Sequence, residues 1–145
     1  MEELYSWGGV QKLMEVTTVK NEKKSSVLIV DDQLGVRMLL SEAFSLENFE
    51  VKTAASGEEA LELLENSHPD VLFLDLKMPK KDGMYVFKQL KKMDYKGFIV
   101  LMTGMEAVDV IVDADYVLSK PFDIDFAVKI LHQLLNIKSE EKYLS

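Results

Sequence analysis

The chain has 145 residues, 48% hydrophobic and 29% charged, which suits one soluble domain with a real core. It has no cysteine, so disulfides, thiolate metal sites and cysteine nucleophiles are excluded. A net charge of −8 argues against a nucleic-acid face; no apolar run reaches the ~20 residues of a membrane span, and the acidic start MEELYSW is no signal peptide, so cytoplasm is the expected location.

Residues 1–24 stand outside any regular pattern and are set apart as an N-terminal extension divided by Gly8-Gly9. From Ser25 the order becomes regular. Val27 to Val30 is a short β-branched run ending on Asp31-Asp32, followed by helical spacing over Gln33 to Leu46. Val51 to Ala54 is a weaker strand. Ser56-Gly57-Glu58-Glu59 is a capping box opening a helix over Glu58 to Asn66. Pro69-Asp70 interrupts the chain before a third strand, Val71 to Leu74. Val86, Leu90 and Met93 mark a helix over Gly83 to Met93; Phe98 to Met102 and Tyr116 to Leu118 are the fourth and fifth strands. Pro121 precedes a long helix, Ile124 to Ile137, and the regular domain is bounded at 25–138 with a C-terminal tail at 139–145.

Strand and helix alternate, and the strands show no apolar/polar alternation. That pattern predicts an α/β domain, a doubly wound five-stranded parallel sheet covered on both faces. In such sheets ligands bind beyond the carboxyl ends of the strands. The first strand ends on Asp31 and Asp32, the third on Asp75, the fourth on Thr103 and the fifth on Ser119-Lys120-Pro121. A lone aspartate in such a place is more often a helix cap or turn former. Several together at the ends of different core strands imply a crevice where carboxylates converge. Their mutual repulsion calls for a hard divalent cation, Mg²⁺ or alternatively Mn²⁺. Lys120 and Thr103 are then spare donors for a phosphoryl group, and Asp75 a carboxylate nucleophile.

The segments VLIVDDQ (27–33), VLFLDLKMPKKDG (71–83), VLMTG (100–104) and SKPFDID (119–125) resemble the CheY-like receiver domain of two-component response regulators. DDQLGVRMLLSEAF and KPFDID are closest to single-domain sporulation phosphorelay receivers. The resemblance implies a flavodoxin-like sheet of order 2-1-3-4-5 and Asp75 as phosphoacceptor. It further implies Mg²⁺ held by Asp31, Asp32, Asp75 and the backbone carbonyl of Lys77. Lys120 would contact the phosphoryl group ahead of a cis Lys120-Pro121 bond, and Thr103 would act as switch. The expected function is that of a stand-alone phosphorelay intermediate taking phosphate from a phosphohistidine on a histidine kinase or phosphotransfer protein. Such a protein catalyses its own aspartyl phosphorylation and dephosphorylation, acts on no external small substrate, and contacts neither DNA nor membrane. A phosphorylation-switched binding adaptor and a non-phosphorylated scaffold are the alternatives. A haloacid-dehalogenase phosphatase would need a second aspartate where Lys77 stands, and a Rossmann domain a glycine-rich loop where DDQLG stands.

The chain also departs from the family pattern. Thr103 to Lys120 is 17 positions (120 − 103), about five fewer than usual, or one and a half helical turns. The fourth helix, between the fourth and fifth strands, is therefore expected to be shortened or absent. Val117, not an aromatic, stands three residues before the lysine, and Tyr116 one place earlier should face the other side of the sheet. Lys77 and Met105 flank the site and would limit water access. On the first helix Val36, Leu39, Leu40 and Ala43 are the expected core stripe, which leaves Leu34 and Met38 outward as a docking surface for a partner helix. On the last helix Phe126, Ile130, Leu131 and Leu134 form one stripe; Ile124, Val128 and Leu135 form a second. The N-terminal extension, with Leu4, Tyr5, Trp7, Val10, Leu13 and Met14, is expected to pack where the fourth helix is missing, from the same chain or a second one. Extension and last helix are thus the candidate homodimer contacts.

Overall fold

A computed structural model describes residues 23–79, 83–104 and 113–144 of the chain, with side chains described to Asn136. The elements are β1 (Ser26–Val30), α1 (Leu34–Leu46), β2 (Glu50–Ala54), α2 (Gly57–Asn66), β3 (Val71–Asp75), α3 (Gly83–Lys92), β4 (Phe98–Thr103), β5 (Tyr116–Ser119) and α4 (Ile124–Leu144). All strands pair in parallel, as the sequence pattern predicts, and in the order β2-β1-β3-β4-β5 that the family resemblance implies. Residues 105–112, where the expected shortened helix between β4 and β5 would lie, fall outside the described residues. Among the described residues no helix is long and apolar enough to cross a membrane.

Alternate residues of each strand feed opposite layers. Val27, Ile29, Val71 and Phe73 pack beneath α1 and α4 with Leu40, Phe44, Ile130 and Leu131. Leu28, Val30, Leu72 and Leu74 pack beneath α2 and α3 with Ala60, Leu64, Val86 and Leu90. Covering on both faces is why the strands read as unbroken apolar runs. The start of α2 carries the expected cap. The Glu59 amide donates to the Ser56 hydroxyl at 3.1 Å, while the Glu59 carboxylate accepts from the Ala55 amide at 2.9 Å, one residue upstream of the serine.

Two expected core positions are corrected. Leu39 is 57% exposed; the α1 stripe is Leu40 and Phe44, one turn apart, flanked by half-buried Val36 and Ala43. Phe44 lies against Phe73, ring centroids 5.0 Å apart, and this aromatic contact sets the rotation of the helix. On α4 Phe126 is 44% exposed, and Ala127 takes the buried place above Ile130, Leu131 and Leu134. Ile124, Val128 and Leu135 are half-buried against the same cluster, so one broad stripe replaces the two expected. The helix also runs beyond Ile137 to Leu144, across the stretch assigned as a tail, where Glu, Lys and Leu continue it without glycine or proline.

The rotation of α1 is open to test. Phe44→Ala should cost about 3–5 kcal/mol. Leu39→Ala should stay within about 0.5 kcal/mol of the parent. Urea unfolding followed by circular dichroism measures both, and equal losses would restore Leu39 to the core.

Candidate functional site

The strand register fixes the site. Val30 pairs with Leu74 and Asp75 with Met102, so Asp31 leaves β1 level with Asp75 at the end of β3. Thr103 pairs with Ser119, which puts Lys120 immediately past the edge of the sheet, and the Lys120 amide donates to the Thr103 carbonyl at 2.7 Å. The Lys120-Pro121 peptide bond is cis. The first, third, fourth and fifth strands thus deliver Asp31, Asp75, Thr103 and Lys120 to one cleft. Asp32, Gln33, Lys77, Met78 and Gly104 complete its walls.

The two aspartates of β1 differ. Asp31 is fully buried, and its carboxylate accepts from the Lys120 ammonium at 2.7 Å and the Gln33 amide at 2.9 Å. Its carbonyl accepts from the Arg37 guanidinium at 2.8 Å, which ties the first turn of α1 to the strand end. Asp32 is exposed and opens onto the cleft. One oxygen from each of Asp31, Asp32 and Asp75 lies within 4.8 Å of the others. An oxygen-only donor set of this kind, part buried and part open to water, fits a hard divalent cation that keeps some of its waters.

Asp75 is 4% exposed. One carboxylate oxygen accepts from the Lys77 amide at 3.1 Å, and the other lies 3.5 Å from the Lys120 ammonium. Burial raises its carboxyl above the usual range; the Lys77 amide and Lys120 oppose the rise, and the charges of Asp31 and Asp32 add to it. Lys120 lies closer to Asp31, at 2.7 Å, than to Asp75. Thr103 is buried beside it, with its hydroxyl donating to the Gly104 carbonyl at 2.9 Å rather than to Asp75.

Sequence reasoning passed over one residue that shapes the site. Gly83, at the start of α3, sits against the main chain of Asp75 and Leu76, and any Cβ there would collide with the Asp75 carbonyl. No other residue lets α3 approach the strand end so closely. The DG pair closing the loop was its only signal. The outward surface on α1 stands as expected, with Leu34 and Met38 each 61% exposed beside a cleft that includes Arg37, Ser41 and Thr53. Tyr116 lies on the α1/α4 face, its ring 6.3 Å from that of Phe126, while Val117 packs in the α2/α3 layer. Met105 lies outside the described residues.

Residues 27–132 match the family model of the response regulator receiver domain. The chain belongs to that family. It is 36% identical to the sporulation initiation phosphotransferase F of Bacillus subtilis over 124 residues, covering 82% of this chain and 98% of that protein. It is 38% identical to the regulatory protein AtoC of Escherichia coli over 122 residues, but this covers only 26% of AtoC. Among solved structures it is similar to the response regulator TrrA of Thermotoga maritima in complex with Mg²⁺-BeF, with a TM-score of 0.69 and 31% identity over 76% of this chain and 98% of that one. A receiver domain of a LuxO-like repressor from Vibrio parahaemolyticus gives a TM-score of 0.77 at 23% identity, over 85% and 98% of the two chains, and supports the fold alone. The acid pocket of this receiver domain therefore matches the Mg²⁺ chemistry of its family.

The raised Asp75 carboxyl has a measurable sign. A folded-state pKa above the unfolded value means ionisation disfavours folding, so the group's contribution is fully present below the unfolded pKa and lost as pH rises through the folded one. In chelator, Asp75→Asn should thus raise the melting temperature at neutral pH. The advantage should shrink as pH falls through the raised Asp75 value. Thermal melts across that range check it, and a variant less stable than the parent at neutral pH would overturn it.

Proposed function

We propose that this receiver domain accepts a phosphoryl group on Asp75 from a phosphohistidine and passes it on as a phosphorelay intermediate. The observation that carries this reading is the placing of Asp75 in a cluster of three carboxylates, with Lys120 3.5 Å from its oxygen. In the transfer the phosphorus–nitrogen bond of the donor breaks and an Asp75 oxygen forms the new bond. The imidazole keeps the electron pair and leaves protonated. Lys120 offsets charge on the phosphoryl oxygens, and the Thr103 hydroxyl leaves the Gly104 carbonyl to donate to one of them. Asp31, Asp32, Asp75 and the Lys77 carbonyl would hold Mg²⁺, which keeps Asp75 ionised and neutralises the transferring group. The domain thereby catalyses its own phosphorylation and dephosphorylation and acts on no external small substrate.

Similarity to the sporulation phosphotransferase along nearly all of that protein supports the relay reading. Partners would be a histidine kinase, a histidine phosphotransfer protein or both, in the cytoplasm, with no direct contact to DNA or membrane. Leu34 and Met38 stand on α1 just past the acid pair, where a helix presenting a histidine to Asp75 would lie. The exposed Phe126 beside Tyr116 offers a homodimer contact on α4. A second reading, an adaptor whose partner affinity changes on phosphorylation, draws on the same exposed pair on α1.

Incubation with a small phosphodonor and Mg²⁺, read by intact mass, should give one phosphoryl adduct that disappears in Asp75→Asn and in chelator. No adduct on a folded, Mg²⁺-binding protein would overturn the relay and leave the scaffold. Leu34→Ala with Met38→Ala should slow transfer from a phosphohistidine protein about tenfold or more, each side chain carrying roughly 1 kcal/mol of contact. The small donor should be unaffected. Equal loss with both donors would place the damage in the site rather than in docking.

A further inference from the structure

Asp31 and Asp32 are joined by one peptide group, and that group is held from outside the cleft. The Arg37 guanidinium donates to the Asp31 carbonyl at 2.8 Å. The rest of Asp31 is held as well. Its amide donates to the Ala54 carbonyl of β2 at 3.1 Å, and its carboxylate takes the Gln33 amide and the Lys120 ammonium. With amide and carbonyl both held, the backbone of Asp31 is fixed on either side of its Cα. The plane of the peptide leading to Asp32 is then set.

Asp32 depends on that plane. Its carboxylate is exposed and opens onto the cleft, while Asp31 and Asp75 are buried. A buried carboxylate is aimed by the packing around it. An exposed one turns with its backbone. Rotation of the Asp31–Asp32 peptide would carry Asp32 away from the cluster in which one oxygen of each acid lies within 4.8 Å of the others.

Helix stability does not account for Arg37. α1 begins at Leu34, its first turn has no acidic residue, and the Gln33 side chain makes no cap. A cation near the amino terminus of a helix opposes the helix dipole. The charge of Arg37 therefore does not serve the helix, and its guanidinium turns back to the strand end that carries the acids. A planar guanidinium gives a directed, charge-assisted bond, well suited to fixing a carbonyl. Arg37 is half-buried and lines the cleft on α1 with Leu34, Met38 and Thr53 rather than the cleft of Asp75. Its effect on the site passes through Asp31.

We propose that Arg37 is a positioning residue for the cation: by fixing the Asp31 carbonyl it aims the Asp32 carboxylate into the cluster with Asp31 and Asp75. This role presupposes that the cluster is an Mg²⁺ site. Orientation and charge act with opposite signs here. A guanidinium near three carboxylates repels a cation, so by charge alone its removal would tighten Mg²⁺ binding. Losing a group that orients metal ligands from behind weakens binding, typically by about 10- to 100-fold.

Mg²⁺ titrations followed by amide NMR shifts give the affinity without any phosphoryl donor. Arg37→Met keeps the aliphatic stem and loses both donors and charge. It should weaken Mg²⁺ binding about tenfold, with the far-ultraviolet circular dichroism unchanged. Arg37→Lys, which restores the charge and a donor, should recover most of the loss. Binding in Arg37→Met as tight as in the parent, or tighter, would overturn the proposal. So would a loss that Arg37→Lys fails to relieve. A parent with no Mg²⁺-dependent shifts would remove the cation site itself, a failure seen before any variant is compared.

Discussion

The ion pair between Lys120 and Asp31 is the interaction the rest of this molecule leans on. It joins groups 89 residues apart, one at each end of the chain's sheet-forming part, at 2.7 Å. Asp31 is fully buried, and an unpaired carboxylate there would be costly enough to be protonated or to open the fold. Lys120 can reach it only if β5 lies beside β4, and β4 beside β3, in the observed register. The Lys120 amide on the Thr103 carbonyl holds that register at its last step. Site and fold are therefore one constraint: the buried charge of Asp31 meets Lys120 only when the sheet is complete.

That pairing is uneven. Lys120 sits closer to Asp31 than to Asp75, 2.7 against 3.5 Å. Asp31 behaves as the structural member, held from three directions, while Asp75 faces the cleft with one backbone amide and a distant ammonium. A divalent cation held beside Asp32 would add positive charge on the open side of the cleft. Burial is the main cause of the raised Asp75 carboxyl, and the charges of Asp31 and Asp32 add to it. Gly83 makes the arrangement compact, because its lack of a side chain lets α3 close against the Asp75 backbone.

The strands and the acids were legible because each has a one-dimensional signature. A strand buried on both faces is an unbroken apolar run, and carboxylates at the ends of several such runs converge on one crevice even though any one alone would pass for a cap. What was illegible depends on rotation and on close approach. Leu39 and Phe44 are both apolar and both at helical spacing; only the contact of Phe44 with Phe73 decides which faces inward. Phe126 looked like core by size, yet it is exposed and its neighbour Ala127 is the buried residue. Asp31 and Asp32 are adjacent and identical in type, so their division into a buried partner of Lys120 and an exposed cleft acid follows from which side of the strand end each leaves. Gly83 carries only the weak signal of the Asp82-Gly83 pair, since its importance is the absence of an atom.

The parity of β5 carries the sequence reading furthest into mechanism. Moving the aromatic by one place sends it through the sheet: Tyr116 rests near Phe126 on the α1/α4 face, and Val117 occupies the α2/α3 face with Leu101. A ring seated there cannot follow Thr103 by simple rotation, because the strand backbone lies between the two layers. At this end of the sheet the two strands are joined along the backbone, where the Lys120 amide donates to the Thr103 carbonyl. The turn after β5 is therefore tied directly to Thr103, whereas the Tyr116 ring is separated from it by the sheet.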